Sequence, residues 1–232
     1  MLFPIPVALL SNLLLVKASF SIDDIKKNCR PNDCYDIRRQ GFFQSGVYII
    51  WPRFFNQPVQ VFCDMVTEGG GWTVIQRRDD IEPRQDFNLP WTSYKYGFGN
   101  VTGEFWIGND ILFALTNKED TVLRVDLETF DREKAYAEYG GFLVRGERDF
   151  YKMMVGAYHG NAGDSLSYHN DTYFSTKDKF HNKECAKTHQ AAWWFKDCTK
   201  SLLNGIYQSD GRVKPVVIGL LQELRFQNLP SC

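Results

Sequence analysis

The stretch VFCDMVTEGGGWTVIQRR, residues 61–78, decides the fold of this chain. Two apolar, β-branched runs flank three consecutive glycines, and glycine alone takes a positive φ without steric penalty. The pattern predicts a strand, a glycine turn and a second strand. Immediately upstream, SGVYIIWP (residues 45–52) is another short apolar run bounded by Gly and Pro, and predicts a further strand. Before it, IDDIKKNCRPNDCYDIRRQ (residues 22–40) reads as a polar lead-in followed by a short helix with Asp33 as N-cap.

Downstream, FWIGNDILFALT (residues 105–116) has helical spacing, with Ile111, Leu112 and Leu115 sharing a face. TVLRVDLETF, KAYAEYGGFLVRG and FYKMMVGAY then read as successive strands of an antiparallel sheet. From His159 onward regular patterning fades into Gly, Asn, Asp, Ser and paired Trp, until PVVIGLLQELRFQ predicts a last strand. No repeat or linker divides the chain, so one α+β unit is expected. Its loop-rich end is where binding residues belong.

The 232 residues are 44% hydrophobic and 15% aromatic, enough for a substantial core, and the net charge is −1. No concentrated positive surface runs along the sequence, which argues against nucleic acid as a partner. PVALLSNLLLV (residues 6–16) is too short to cross a bilayer and suits the apolar part of a secretory signal, with cleavage near Ala18 or Ser19. The alternative is a buried N-terminal strand. A signal at 1–19, a lead-in at 20–33 and one domain at 34–232 describe a secreted chain without a membrane anchor. In an oxidising compartment its six cysteines favour disulfides, with fifteen possible connectivities. Asn100 and Asn170 open two glycosylation sequons, both expected on the surface.

GDSLSYHNDTYFSTKD (residues 163–178), followed by His181, resembles the Gly-Asp-Ser-Leu and Asp-x-x-His elements of serine esterases. A serine nucleophile needs a base within hydrogen-bond reach and an oxyanion hole. Here Ser165 and the Asp178–His181 pair are separated by a segment that would have to fold back on itself, so Ser165 is expected in a structural turn. His159, His169, His181 and His189 match no zinc spacing.

Eight segments in register resemble the fibrinogen C-terminal domain family, and within it the secreted tachylectin-like and ficolin-like lectins. They are DCYDIRRQGFFQSGVYII, VFCDMVTEGGGWTVIQRR, EFWIGNDILFALT, YAEYGGFLVRGE, VGAYHGNAGDSLSYHN, FSTKD, AAWWFKDC and LNGIY. The resemblance implies a small N-terminal subdomain tied by Cys34–Cys63. It further implies a central antiparallel sheet with flanking helices, and a C-terminal recognition region holding Cys185–Cys198. Cys29 and Cys232 remain, to pair within the chain or between chains. The resemblance also implies a cis peptide at Asp197-Cys198.

In that family, alternating acidic residues after FST bind calcium, a hard cation that takes six to eight oxygens. Here only Asp178 stands in that pattern, among Lys177, Lys179 and Lys183, with Asn182, Glu184 and carbonyls as further donors. Calcium is therefore a doubtful cofactor, and Asp178 otherwise caps a surface turn. The lectin pocket beside the second disulfide would comprise His189, Trp193, Trp194, Thr199, Asn204 and Tyr207. His189 replaces a family tyrosine and Thr199 a family histidine. Trp193 and Trp194 either stack on sugar rings or support the loop from within.

The resemblance implies a secreted, non-enzymatic recognition protein binding acetylated glycans or related surface ligands in innate defence, as a homo-oligomer that gains avidity. The alternative is a protein-interaction module, such as a receptor ligand or a venom or saliva component. A secreted serine esterase is the remote third reading.

Overall fold

The computed structural model describes residues 30–117, 121–129, 132–207 and 222–228, the last as backbone. The signal at 1–19, most of the lead-in, Cys29, Cys232 and the loop after Tyr207 lie outside the described residues.

The glycine hairpin forms as the opening stretch predicts. β1 (Gly46–Ile50), β2 (Val59–Asp64) and β3 (Trp72–Arg78) pair antiparallel in sequence order. The turn between β2 and β3 depends on glycine, because Gly70 has φ +74° and a Cβ there would lie 2.0 Å from the Met65 carbonyl oxygen. Helix α1 (Cys34–Arg39) starts at Asp33, whose carboxylate accepts from the Asp36 amide at 3.0 Å. The Cys34–Cys63 disulfide fastens this helix to β2.

The predicted helix at 105–116 is shorter in the structure. Phe105 and Trp106 form β5 (Phe105–Trp106), which pairs with β3 and with β4 (Phe98–Gly99). Helix α3 (Asn109–Thr116) begins only after Gly108, and α2 (Trp91–Tyr96) precedes both strands. The pairing edge of β3 captures the two aromatics. Ile111, Leu112 and Leu115 share the buried face as expected.

β6 (Thr121–Glu128) and β7 (Lys134–Gly140) form a long hairpin, and β10 (Tyr158–Gly160) extends it. KAYAEYGGFLVRG, read as one strand, breaks where Gly140 and Gly141 turn the chain, and FYKMMVGAY breaks between Met154 and Tyr158. β8 (Leu143–Val144) and β9 (Met153–Met154) leave to form their own small sheet. The last strand, β11 (Gln222–Asn228), inserts between β3 and β6, giving the order β1-β2-β3-β11-β6-β7-β10 with β4 and β5 beside β3. The architecture is α+β: an antiparallel sheet with short helices, followed by a region of turns and one helix, α4 (Lys183–His189).

An aromatic core joins these parts. Trp106 stacks on Phe174 with centroids 6.2 Å apart, and Phe174 meets Trp194 edge-on at 5.0 Å. Trp91 stacks on Tyr151 at 5.3 Å. Large aromatics bury much apolar area each, so this cluster clamps the loop region to α2 and β5 despite its few regular elements.

Candidate functional site

The loop region is built on one short bridge and one histidine. Ser175 and Trp193 exchange backbone hydrogen bonds at 2.9 and 3.1 Å, which sets residues 191–195 in the interior. Trp193 and Trp194 are 1% and 2% exposed. The Trp194 indole donates to the Tyr151 carbonyl at 2.7 Å. Asn204 is also fully buried; its amide donates to the Ala192 carbonyl at 3.1 Å and its oxygen accepts from Gln76 at 3.2 Å. These three proposed ligand contacts therefore face inward and act as the scaffold under the surface loops.

His169 is the central organiser, and the sequence offered it only as one of four unpatterned histidines. Its ring is fully buried. Nε2 accepts from the backbone amides of Lys200 and Ser201 at 3.1 and 3.2 Å. Nε2 thus carries the lone pair, and Nδ1–H donates to the Trp194 carbonyl at 2.7 Å. One neutral imidazole so fastens residues 199–201 onto 193–194. Burial, foremost, holds its pKa down at about 4, and the nearby positive charges of Lys196 and Lys200 act in the same sense.

The Cys185–Cys198 disulfide forms as the resemblance implied and links α4 to the loop above His169. The expected cis peptide at Asp197-Cys198 is absent. Among the described residues the cis bond is Glu82-Pro83, while Cys198 takes a left-handed φ of +42°. The tight turn that a cis bond would make is reached instead by the bond from the Lys196 amide to the Cys198 carbonyl, at 3.1 Å. Thr199 lies on the His169 side of this turn and donates to the Ser201 carbonyl.

The remaining two pocket residues point elsewhere. His189, at the end of α4, stacks on Phe195 with centroids 6.0 Å apart. Tyr207 has the Arg84 guanidinium over its ring at 4.4 Å and borders a cleft of about 290 Å³ that Arg78, Phe87, Gln190 and Ile206 also line. The structure thus joins Thr199, Trp194 and Asn204 through the framework around residues 191–204, sets His189 against Phe195 of that framework, and places Tyr207 on the cleft beside Arg84.

The calcium loop has an unusual donor set. Asp178 Oδ1 already accepts from the Trp91 amide at 3.0 Å and the Thr176 hydroxyl at 2.6 Å. Lys177 donates to the Asn88 carbonyl at 2.5 Å. Lys179 lies 4.2 Å from the Trp91 ring centroid and 3.4 Å from Glu147. Glu147 also accepts from the Trp91 indole at 2.8 Å and from Lys95, and these contacts, Lys95 foremost, hold its pKa down at about 2. Glu184 pairs with Lys187 at 2.8 Å. One carboxylate already engaged by an amide and a hydroxyl does not fit a calcium ion, whose affinity follows the charge of its ligands. The ammonium groups of Lys177 and Lys179 make the bridging contacts themselves.

Ser165 borders a small apolar cavity of about 30 Å³ beside Tyr139 and Leu166, far below the few hundred Å³ of ordinary ligand pockets. Both nitrogens of His169, four residues on, are committed to backbone groups, and His181 packs against Phe180 at 4.2 Å. Asn100 and Asn170 are exposed, as glycan acceptors require. Among the described residues, no helix is long and apolar enough to cross a membrane.

Residues 30–219 match the family model for the C-terminal globular domain of fibrinogen beta and gamma chains. The chain is 44% identical over 183 residues to Techylectin-5A of Tachypleus tridentatus, covering 76% of this chain and 63% of that protein. The chain therefore spans less than two thirds of that relative's length. It is 43% identical over 196 residues to Microfibril-associated glycoprotein 4 of Mus musculus, covering 80% of this chain and 76% of that one. The fibrinogen-like globe domain of human ANGPTL2 superposes with a TM-score of 0.81 at 34% identity, over 86% of this chain and all of that one. With the glycine hairpin, both disulfides and the inserted last strand in place, the chain belongs to the fibrinogen C-terminal domain family.

Proposed function

We propose that this chain is a secreted, non-enzymatic recognition protein that binds acetylated glycans or related surface ligands through the loops around Cys185–Cys198, and serves innate defence. The observation that carries the reading is the construction of that region. Residues 196–200, with Lys196, Asp197 and Lys200 exposed, sit on a rigid base of His169, Trp194 and a disulfide, which is how loops present binding groups at little entropic cost. The 44% identity to a protein named as a lectin supports the sugar reading. A homo-oligomer would raise the weak affinity of single shallow sites by avidity. The lysine contacts around Asp178 favour recognition without a resident calcium ion.

The inward placement of Trp193, Trp194 and Asn204 favours a second reading, a protein-interaction module, because it removes aromatic platforms on which a sugar ring would stack. A glycan array run with calcium and with chelator separates the two. Binding that a free N-acetyl sugar competes away, equal in both buffers, is the expected result. Absence of binding to every glycan replaces the sugar reading with the protein one.

A further inference from the structure

We infer that the site carries an anion-recognising subsite, formed by Lys196, Lys200 and Tyr168, which selects glycans bearing a sulfate or carboxylate group. This inference rests on the glycan reading above and names the ligand class for it. Three observations lead there.

First, the two ammonium groups converge on one ring. Lys196 Nζ lies 5.3 Å and Lys200 Nζ 4.7 Å from the Tyr168 centroid, so the two are within about 10 Å of each other. Their backbones are fixed independently. The Lys196 amide closes the turn onto Cys198, the Lys200 amide donates to His169, and the Tyr168 hydroxyl donates to the Asp197 carbonyl at 3.3 Å. The convergence is therefore set by the framework, with Lys196 and Lys200 exposed at the surface and Tyr168 half-buried beneath them.

Second, these charges are unspent. Lys95, Lys152, Lys179 and Lys187 each have a carboxylate partner within 3.4 Å. Among the described residues neither Lys196 nor Lys200 has one, and the positive field they create already reaches the buried imidazole of His169 below. Two like charges this close raise each other's energy, and an anion placed between them relieves that repulsion.

Third, the surrounding sequence is locally basic in a chain whose net charge is −1. Residues 177–200 hold six lysines against three carboxylates, Asp178, Glu184 and Asp197. The Tyr168 ring under the ammonium groups holds both lysines at one place, so that together they take the charged substituent of a sugar. Lysine binds such a group as a point charge, so the subsite selects on charge and tolerates either a sulfate or a carboxylate.

The test uses the purified chain and four immobilised probes: 6-sulfo-N-acetyllactosamine beside N-acetyllactosamine, and sialyllactose beside lactose. The expected result is binding to at least one anionic probe over its neutral counterpart. K196A/K200A should weaken it about tenfold or more, K196R/K200R should retain it, and raised salt should weaken it. The relative response of 6-sulfo-N-acetyllactosamine and sialyllactose separates sulfate from carboxylate. Unchanged thermal melting of both double variants keeps a folding defect from mimicking the loss. Equal binding of charged and neutral forms, untouched by K196A/K200A, overturns the subsite and leaves the glycan reading standing. Failure of every glycan to bind overturns both.

Discussion

Acidification should weaken this fold through His169. The ring is neutral in the folded chain, because two backbone amides occupy Nε2 and burial disfavours its charged form. Its pKa of about 4 lies below the ordinary value of 6.5. Between those two values the unfolded chain holds a proton that the folded chain refuses. The stabilisation is fully present above the ordinary histidine range and is lost as pH falls through it toward 4. A shift of that size is worth at most about 3 kcal/mol, a large part of the stability of a typical domain. The nearby positive charges of Lys196 and Lys200 act in the same sense and deepen the effect. Urea unfolding followed by tryptophan fluorescence, at about pH 7 and about pH 4.5, would measure it. His169→Gln, neutral at both pH values, serves as the control and should lose less stability on acidification than the parent. An equal loss in both chains, or a ring titration observed by NMR in the ordinary histidine range, refutes the reasoning.

Other outcomes follow from the same geometry. Glu147→Gln should loosen residues 176–180, read as faster amide exchange there, because Lys95, Lys179 and Trp91 all converge on that carboxylate. Since the carboxylate is over a third exposed, the global cost should stay below about 1 kcal/mol, with its charge contribution present above the usual carboxylate range and lost as pH falls toward 2. Thermal melting should be the same in millimolar calcium and in chelator, whereas K177D/K179D should gain a calcium-dependent rise; a rise in the parent chain would contradict the lysine-bridged loop. Trp194→Ala should cost about 3–5 kcal/mol in equilibrium unfolding, as truncation of a core aromatic does, while a near-neutral result would contradict its scaffolding role.

The local features were legible in order along the chain. The β2–β3 hairpin, the Asp33 cap and the buried face of α3 follow from nearest-neighbour rules of φ, capping and periodicity, which act over a few residues. Where reading failed, a distant partner had intervened. Phe105 and Trp106 have helical spacing, yet the open edge of β3 claims them as a strand. The expected cis bond at Asp197-Cys198 belonged to a resemblance, and this chain closes the same turn with a trans bond and a left-handed Cys198.

For the site, the disulfide and the position of the recognition loops could be expected from the resemblance, but the direction of each side chain could not. Trp193, Trp194 and Asn204 are polar-tipped or aromatic, equally suited to a pocket or a core, and only the bridge to Ser175 and the bond to Gln76 turn them inward. His169 gave no signal because its partners are backbone amides, which every sequence contains. The sequence alone thus determined the hairpin, the helix cap, the family and the loss of acidic residues after Asp178. Tertiary structure alone decided the insertion of β11 between β3 and β6, the burial of the tryptophans and the meeting of Lys196 with Lys200 over Tyr168. Those contacts join residues far apart in the chain, or fix side-chain directions that no short-range rule specifies.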